Sequence, residues 1–166
     1  MVVGQLQWAA RMICFEEAFE ASRLASTLGS PTVKDLQDGN AAIRRIQKRN
    51  DLLIRFSAGL DLWESMVINV ADSAFDNLPK HRSQRGHFIM LGDKKINEDH
   101  GNMYKVHCIG WQSSKIQRVV RSTLSAEAYS CADSVDMLIW TRSTLAEILY
   151  PEMDVTEIVH DTCPVT

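Results

Sequence analysis

The chain has 166 residues, 45% hydrophobic and 23% charged, a composition of one folded domain's length that excludes a largely disordered protein. Its net charge of −3 and pI near 5.9 exclude a general basic field for nucleic acid, so any such binding must rest on local patches. The four cysteines, at 14, 108, 131 and 163, form no C-x-x-C pair and read as free thiols of a reducing compartment. Residues 1–10 do not read as a secretory signal, and no stretch approaches the ~20 apolar residues of a membrane span. The expected setting is intracellular, with no membrane partner.

The first part reads as helical. Leu6, Ala9, Ala10 and Ile13 recur at helix spacing, and Phe19, Leu24 and Leu28 continue in a second stretch. Gly29-Ser30-Pro31 breaks that run and predicts a new helix, with Ser30 as cap, Pro31 at the first helical position, and Val33, Leu36, Ile43 and Ile46 turned inward. After the polar Lys48-Arg49-Asn50-Asp51, Leu52 to Phe56 reads as a short strand.

The style changes near residue 57. Met66 to Asp72 alternates so that Met66, Ile68, Val70 and Asp72 share one strand face, which predicts Asp72 at the end of a buried face. Gly86 to Leu91 and His107 to Gln112 are two further strands, and three sequential strands with short links predict an antiparallel meander. Ser122 or Thr123 caps a long helix whose apolar stripe would run through Leu124, Ala128, Cys131, Val135, Leu138, Leu145 and Leu149. Glu127 flanks that stripe. Pro151 ends the helix, and Val155 to Asp161 reads as a fourth strand.

A strand, a crossover helix and another strand favour a parallel, right-handed pairing. If the fourth strand lies beside the first, Asp72 and Asp161 sit at carboxyl ends of adjacent strands, where open α/β sheets place ligands, and the helix carries Glu127 to the same end. Clustered carboxylates are what a two-metal phosphodiester hydrolase requires. Each acid also has a plainer reading: Asp72 and Asp161 as turn residues, Glu127 as a favourable charge near a helix start. Two basic groups, Arg44, Arg45, Lys48 and Arg49, and Lys115, Arg118 and Arg121, suit either phosphate contact or a solvated surface. The second group leads straight into the helix bearing Glu127. Trp111 reads as sheet core.

Three stretches resemble a known family. Gly4-Gln5-Leu6-Gln7-Trp8-Ala9-Ala10-Arg11, Ser22-Arg23-Leu24-Ala25, and the run from Trp111-Gln112-Ser113-Ser114-Lys115 to Arg121-Ser122-Thr123-Leu124-Ser125-Ala126-Glu127-Ala128 are similar to the carboxy-terminal part of copia-type retrotransposon Pol polyproteins. In that family the end of reverse transcriptase runs into a ribonuclease H (RNase H) domain. The resemblance implies an α/β fold with an RNase H-like mixed sheet: three antiparallel strands, a crossover helix and a fourth, parallel strand. It divides the chain into a helical reverse transcriptase connection remnant, 1–57, and a C-terminally truncated RNase H-like domain, 64–166.

By the same resemblance Asp72, in Ala71-Asp72-Ser73, is the first metal ligand, and Glu127, in Ser122-Thr123-Leu124-Ser125-Ala126-Glu127, the second. Asp161, in Ile158-Val159-His160-Asp161-Thr162, is a looser match to the third. The implied cofactor is Mg2+ (or Mn2+), the substrate an RNA–DNA hybrid, and the partner the reverse transcriptase portion of the same polyprotein, in a cytoplasmic particle or the nucleus. Two departures stand out. The family's fourth acidic ligand comes from a later helix, which the sequence ending at Thr166 does not supply, and Ile13-Cys14-Phe15-Glu16-Glu17 stands where the family carries Thr-Arg-Pro-Asp. The alternative is therefore a catalytically inactive retroelement remnant that retains the fold and binds nucleic acid or protein.

Overall fold

A computed structural model describes residues 2–49, 51, 53–78, 80–98 and 102–152. Among them the chain is a mixed α/β protein with four α-helices and a three-stranded antiparallel sheet in the order β1-β2-β3.

The helical part comprises α1 (Val2–Met12), α2 (Ala18–Thr27) and α3 (Val33–Lys48). Its core is small: Leu6, Ala10, Ala21, Leu24 and Ala42 are buried together. The expected start of α3 moves by two residues. Thr32, not Ser30, is the cap, because Thr32 and Asp35 exchange hydrogen bonds between side chain and backbone in a capping box. The expected inward set also changes. Val33 and Leu36 are exposed, at 72% and 66%, while Gly39 and Ala42 face α2; small residues let Leu24 close over them. Arg23 joins α2 to α3 by hydrogen bonds to Asp35 and Asp38, at 2.9 and 2.8 Å, while also holding Glu20. Those acids hold the Arg23 guanidinium above its ordinary pKa, and Thr32 together with Arg23 holds the Asp35 carboxyl at about 2.

The expected strand at Leu52 to Phe56 is not formed across 53–56. Phe56 instead stacks on the ring of His107, at 5.7 Å between centroids. The three meander strands are as expected in order and direction, but longer: β1 is Ser65–Leu78, β2 Arg82–Asp93 and β3 Val106–Lys115. The β1–β2 turn uses left-handed backbone at Lys80 and His81. Ser83 and Asn77 brace it, Ser83 Oγ accepting from the Asp76 amide and Asn77 Oδ1 from that of Gln84. At the other end Gly92 is closely packed: a Cβ there would lie 2.6 Å from Ile96 Cδ1 and 2.9 Å from Ile68 Cδ1, so any larger residue must displace the ends of those side chains.

Both sheet faces are partly covered. On one, Phe15 meets Phe88 and Trp111 edge to face, and the Trp111 indole N–H donates to the Ala10 carbonyl at 2.7 Å, which docks the helical part onto the sheet. On the other lies α4 (Thr123–Leu149), capped by Ser122, whose hydroxyl accepts the amide N–H of Ser125. The expected apolar stripe of α4 holds only in its second half, where Leu138, Leu145 and Leu149 are part-buried and Leu145 lines a cavity with His87 and Ile89. The buried residues of α4 are Ala126, Ser130, Ser134 and Ala146, whereas Leu124 is 79% exposed and Ala128, Cys131 and Val135 are exposed too. The sheet takes the face with the smaller side chains because these allow the helix backbone to approach closely. The predicted fourth strand, Val155 to Asp161, lies outside the described residues. Among the described residues, no helix is long and apolar enough to cross a membrane.

Candidate functional site

Asp72 lies within β1, six residues before its end, opposite Gly86. The expectation that it closes a buried face is corrected. Strand alternation puts Asn69, Ala71 and Ser73 under α4, since their partners Ile89 and His87 line a cavity with α4 residues and Arg85 pairs with Asp133 of α4 at 3.0 Å. Val70 and Asp72 therefore point to the other side, where both are exposed. The Asp72 carboxylate accepts the amide N–H of Ser73 at 2.8 Å. Its cross-strand neighbour has no side chain, so the floor beside it is bare backbone.

Glu127 stands half-buried in the second turn of α4. One turn later the buried hydroxyl of Ser130 donates to the backbone carbonyl of Asp72 at 2.7 Å, with the Gly86 carbonyl at 3.5 Å. The structure thus fixes the helix of Glu127 directly onto the backbone of Asp72. The Asp72 carboxylate and the helix bearing Glu127 lie on opposite faces of the sheet, so the Ser130 hydrogen bond joins the helix to the Asp72 backbone and not the two carboxylates to each other.

Two buried oxygens on the α4 side of β1, Asn69 Oδ1 and Ser73 Oγ, have no hydrogen-bond partner among the described residues. These oxygens lie on the face of the sheet opposite the one to which the Asp72 carboxylate points, so they and Asp72 do not form one ligand set for a divalent cation. No group of three His, Cys, Asp or Glu side chains able to hold a metal is assembled among the described residues. Asp161, the expected third ligand, lies outside them.

The basic residues sit where the connection into α4 is pinned. Ile116, Val120 and Ala126 are buried together, the Ile116 amide donates to the Ser83 carbonyl, and the Arg82 guanidinium donates to the Gln117 carbonyl. Between these anchors Arg118 and Arg121 are exposed. Lys115, paired with Gln84, ends β3 on the same sheet face as Asp72. Arg45 and Arg49 of the other basic group pair with Glu17 and Glu16, which leaves less of their charge for phosphate.

Sequence reasoning missed Ser130, Arg82 and the Arg85–Asp133 pair. The signal for Ser130 was present: Ala126, Ser130 and Ser134 recur every four residues. Weighting by hydrophobicity hides it. His87, buried beneath α4, also went unnoticed; burial pushes its imidazole below the ordinary value, with Asp133 pulling the other way. Cys14, Cys108 and Cys131 are unpaired thiols, and burial raises the first two. In comparison with known proteins, no family model, no curated protein and no solved structure matches the chain.

Proposed function

We propose that this chain carries an RNase H-like domain of a retrotransposon polyprotein and hydrolyses the RNA strand of RNA–DNA hybrids by a two-metal mechanism. One observation carries the reading: the helix that opens with the Ser122-to-Glu127 motif is hydrogen-bonded, through Ser130, to the backbone of Asp72. Two segments singled out independently in the sequence are thereby joined. The three-stranded meander and the long helix on its face are compatible with the fold.

In this reading Asp72 and Glu127 are cation ligands by resemblance, with Asp161 as the third. The cations supply, when bound, a more acidic water as nucleophile and stabilisation of the leaving oxygen. The chain's own residues orient the substrate. Arg118 and Arg121, held outward by the buried Ile116 and Val120, and Lys115 on the face of Asp72, contact the phosphate backbone. The bare backbone at Gly86 leaves the Asp72 carboxylate accessible from that face.

The test is cleavage of a labelled RNA–DNA hybrid with magnesium by the chain and by Asp72→Asn and Glu127→Gln. Each variant should lose at least ~100-fold in rate. Folding should be retained by Asp72→Asn, since Asp72 is exposed and an Asn oxygen can still accept the Ser73 amide. No cleavage by the unaltered chain would overturn the enzyme reading in favour of an inactive remnant. A binding assay with the same hybrid then tests that remnant's retained function.

A further inference from the structure

We infer that the cavity beneath the second half of α4 is a binding site for a small, neutral, planar molecule: one or two fused rings carrying a hydrogen-bonding edge. It lies on the α4 face of the sheet, whereas the Asp72 carboxylate points to the other, so it is separate from that acid. The cavity follows from how α4 is seated. Near its start Ala126, Ser130 and Ser134 bring the helix close to β1 and β2; further along, the bulkier Met137, Trp140 and Leu145 leave a space of about 270 Å³ over β2 and β3. A cavity of about 150 Å³ accepts benzene and drug-sized ligands occupy roughly 300–1,000 Å³, which places this one at two fused rings.

Its walls are apolar where Ile89, Met137 and Leu145 face it, and Trp140 and Ile109, 63% and 37% exposed, form its rim. Thr141 and Thr144 donate their hydroxyl protons to the Met137 and Trp140 carbonyls of their own helix. The hydrogen-bonding groups left for an occupant are those of His87 and Gln112, which are direct cross-strand partners and therefore project from one face. His87 is 5% exposed, and neither side chain is hydrogen-bonded among the described residues. A buried polar group without a partner costs stability, so the pair calls for a ligand that supplies one.

The chemistry of the lining sets the ligand's class. Burial keeps the His87 imidazole uncharged near neutral pH, and its charged neighbours Arg85 and Asp133 pair with each other at 3.0 Å. An ion entering here would lose its water and gain no countercharge. A neutral imidazole offers one donor and one acceptor, and the Gln112 amide offers both kinds as well. The matching edge has a donor and an acceptor side by side, as in a ring lactam, and an aromatic body suits a rim that carries the Trp140 indole.

The experiment titrates carbostyril, a two-ring lactam, into the full chain and follows the backbone amide NMR signals. Those of β2, β3 and the second half of α4 should shift, with a Kd on the order of 0.1 mM. N-methylcarbostyril, which has the same rings without the donor, should bind about tenfold more weakly. Leu145→Trp, which fills the cavity, should abolish binding of both. His87→Phe keeps a planar ring without its nitrogens and should bring the two affinities within about twofold of each other. Should it fail to fold, Gln112→Leu, at a half-buried position, takes its place under the same criterion. No shift at millimolar carbostyril, shifts confined to other elements, equal affinity of the unaltered chain for the two probes, undiminished binding by Leu145→Trp, or a preference retained by His87→Phe would each overturn the proposal. Hybrid cleavage bears on none of these outcomes, so the hydrolase reading stands or falls separately.

Discussion

Acidification from pH 7.5 to 5.5 should destabilise the protein through His87. The imidazole is 5% exposed beneath α4, with the Arg85–Asp133 ion pair as its charged surroundings. Burial disfavours the charged ring more than Asp133 favours it, so the folded-state value lies below the ordinary one near 6.5. The unfolded chain therefore binds the proton first as pH falls. Stability from this group is full above pH ~6.5 and is lost as the pH drops from there through the lowered folded value. One proton of difference sets the ceiling, about 1.4 kcal/mol per pH unit, and for a chain of this size that is roughly 3–5 °C in melting temperature per unit. The assay is thermal unfolding at half-unit pH steps for the chain and for His87→Gln, which removes the titration and keeps a polar side chain. The variant should show a flatter profile between pH 6.5 and 5.5. An equal slope in both, or an NMR titration placing His87 at or above 6.5, would refute the reasoning.

Two other perturbations test separate parts of the molecule. Arg45→Met removes two hydrogen bonds, at 2.6 and 2.7 Å, from Glu17, which is 7% exposed. Stripping the partner from a buried charge costs about 3–5 kcal/mol, and because the Arg45 side chain is half-exposed, solvent screening reduces this to about 1–3 kcal/mol. Urea denaturation should register that loss, and a change below ~0.5 kcal/mol would contradict it. Replacing Lys115, Arg118 and Arg121 together with Gln should leave the fold intact and lower the salt dependence of hybrid binding by roughly two to three in the slope of log K against log salt. An unchanged slope would show that these three residues do not touch phosphate.

Much of the secondary structure was legible because its signals are local. Of the two caps expected for α4, Ser122 and Thr123, the structure uses Ser122, and the alternation in 66–72 and the apolar runs at 86–91 and 107–112 marked the cores of β1, β2 and β3. Short links then made antiparallel order the simple arrangement. Where a local signal was ambiguous, side-chain geometry decided it: Thr32 outcompeted Ser30 as a cap because Asp35 stands three residues later to complete the box.

Which face of an element is buried was not legible. Counting apolar side chains turned Leu124, Cys131 and Val135 inward, and Asp72 toward the core side, yet in the structure these residues face outward. The order of residues gives each face a composition, but the distance between two packed backbones decides which composition fits. At the α4–β1 contact that distance admits Ala126, Ser130 and Ser134, and a serine hydroxyl can satisfy a strand carbonyl that a leucine would leave alone. The sequence by itself determined the helices, the three strands and the motifs around Asp72 and Glu127. Only the tertiary structure decided that Ser130 joins them, because a hydrogen bond between residues 58 positions apart depends on sheet register and helix seating, which no local pattern encodes.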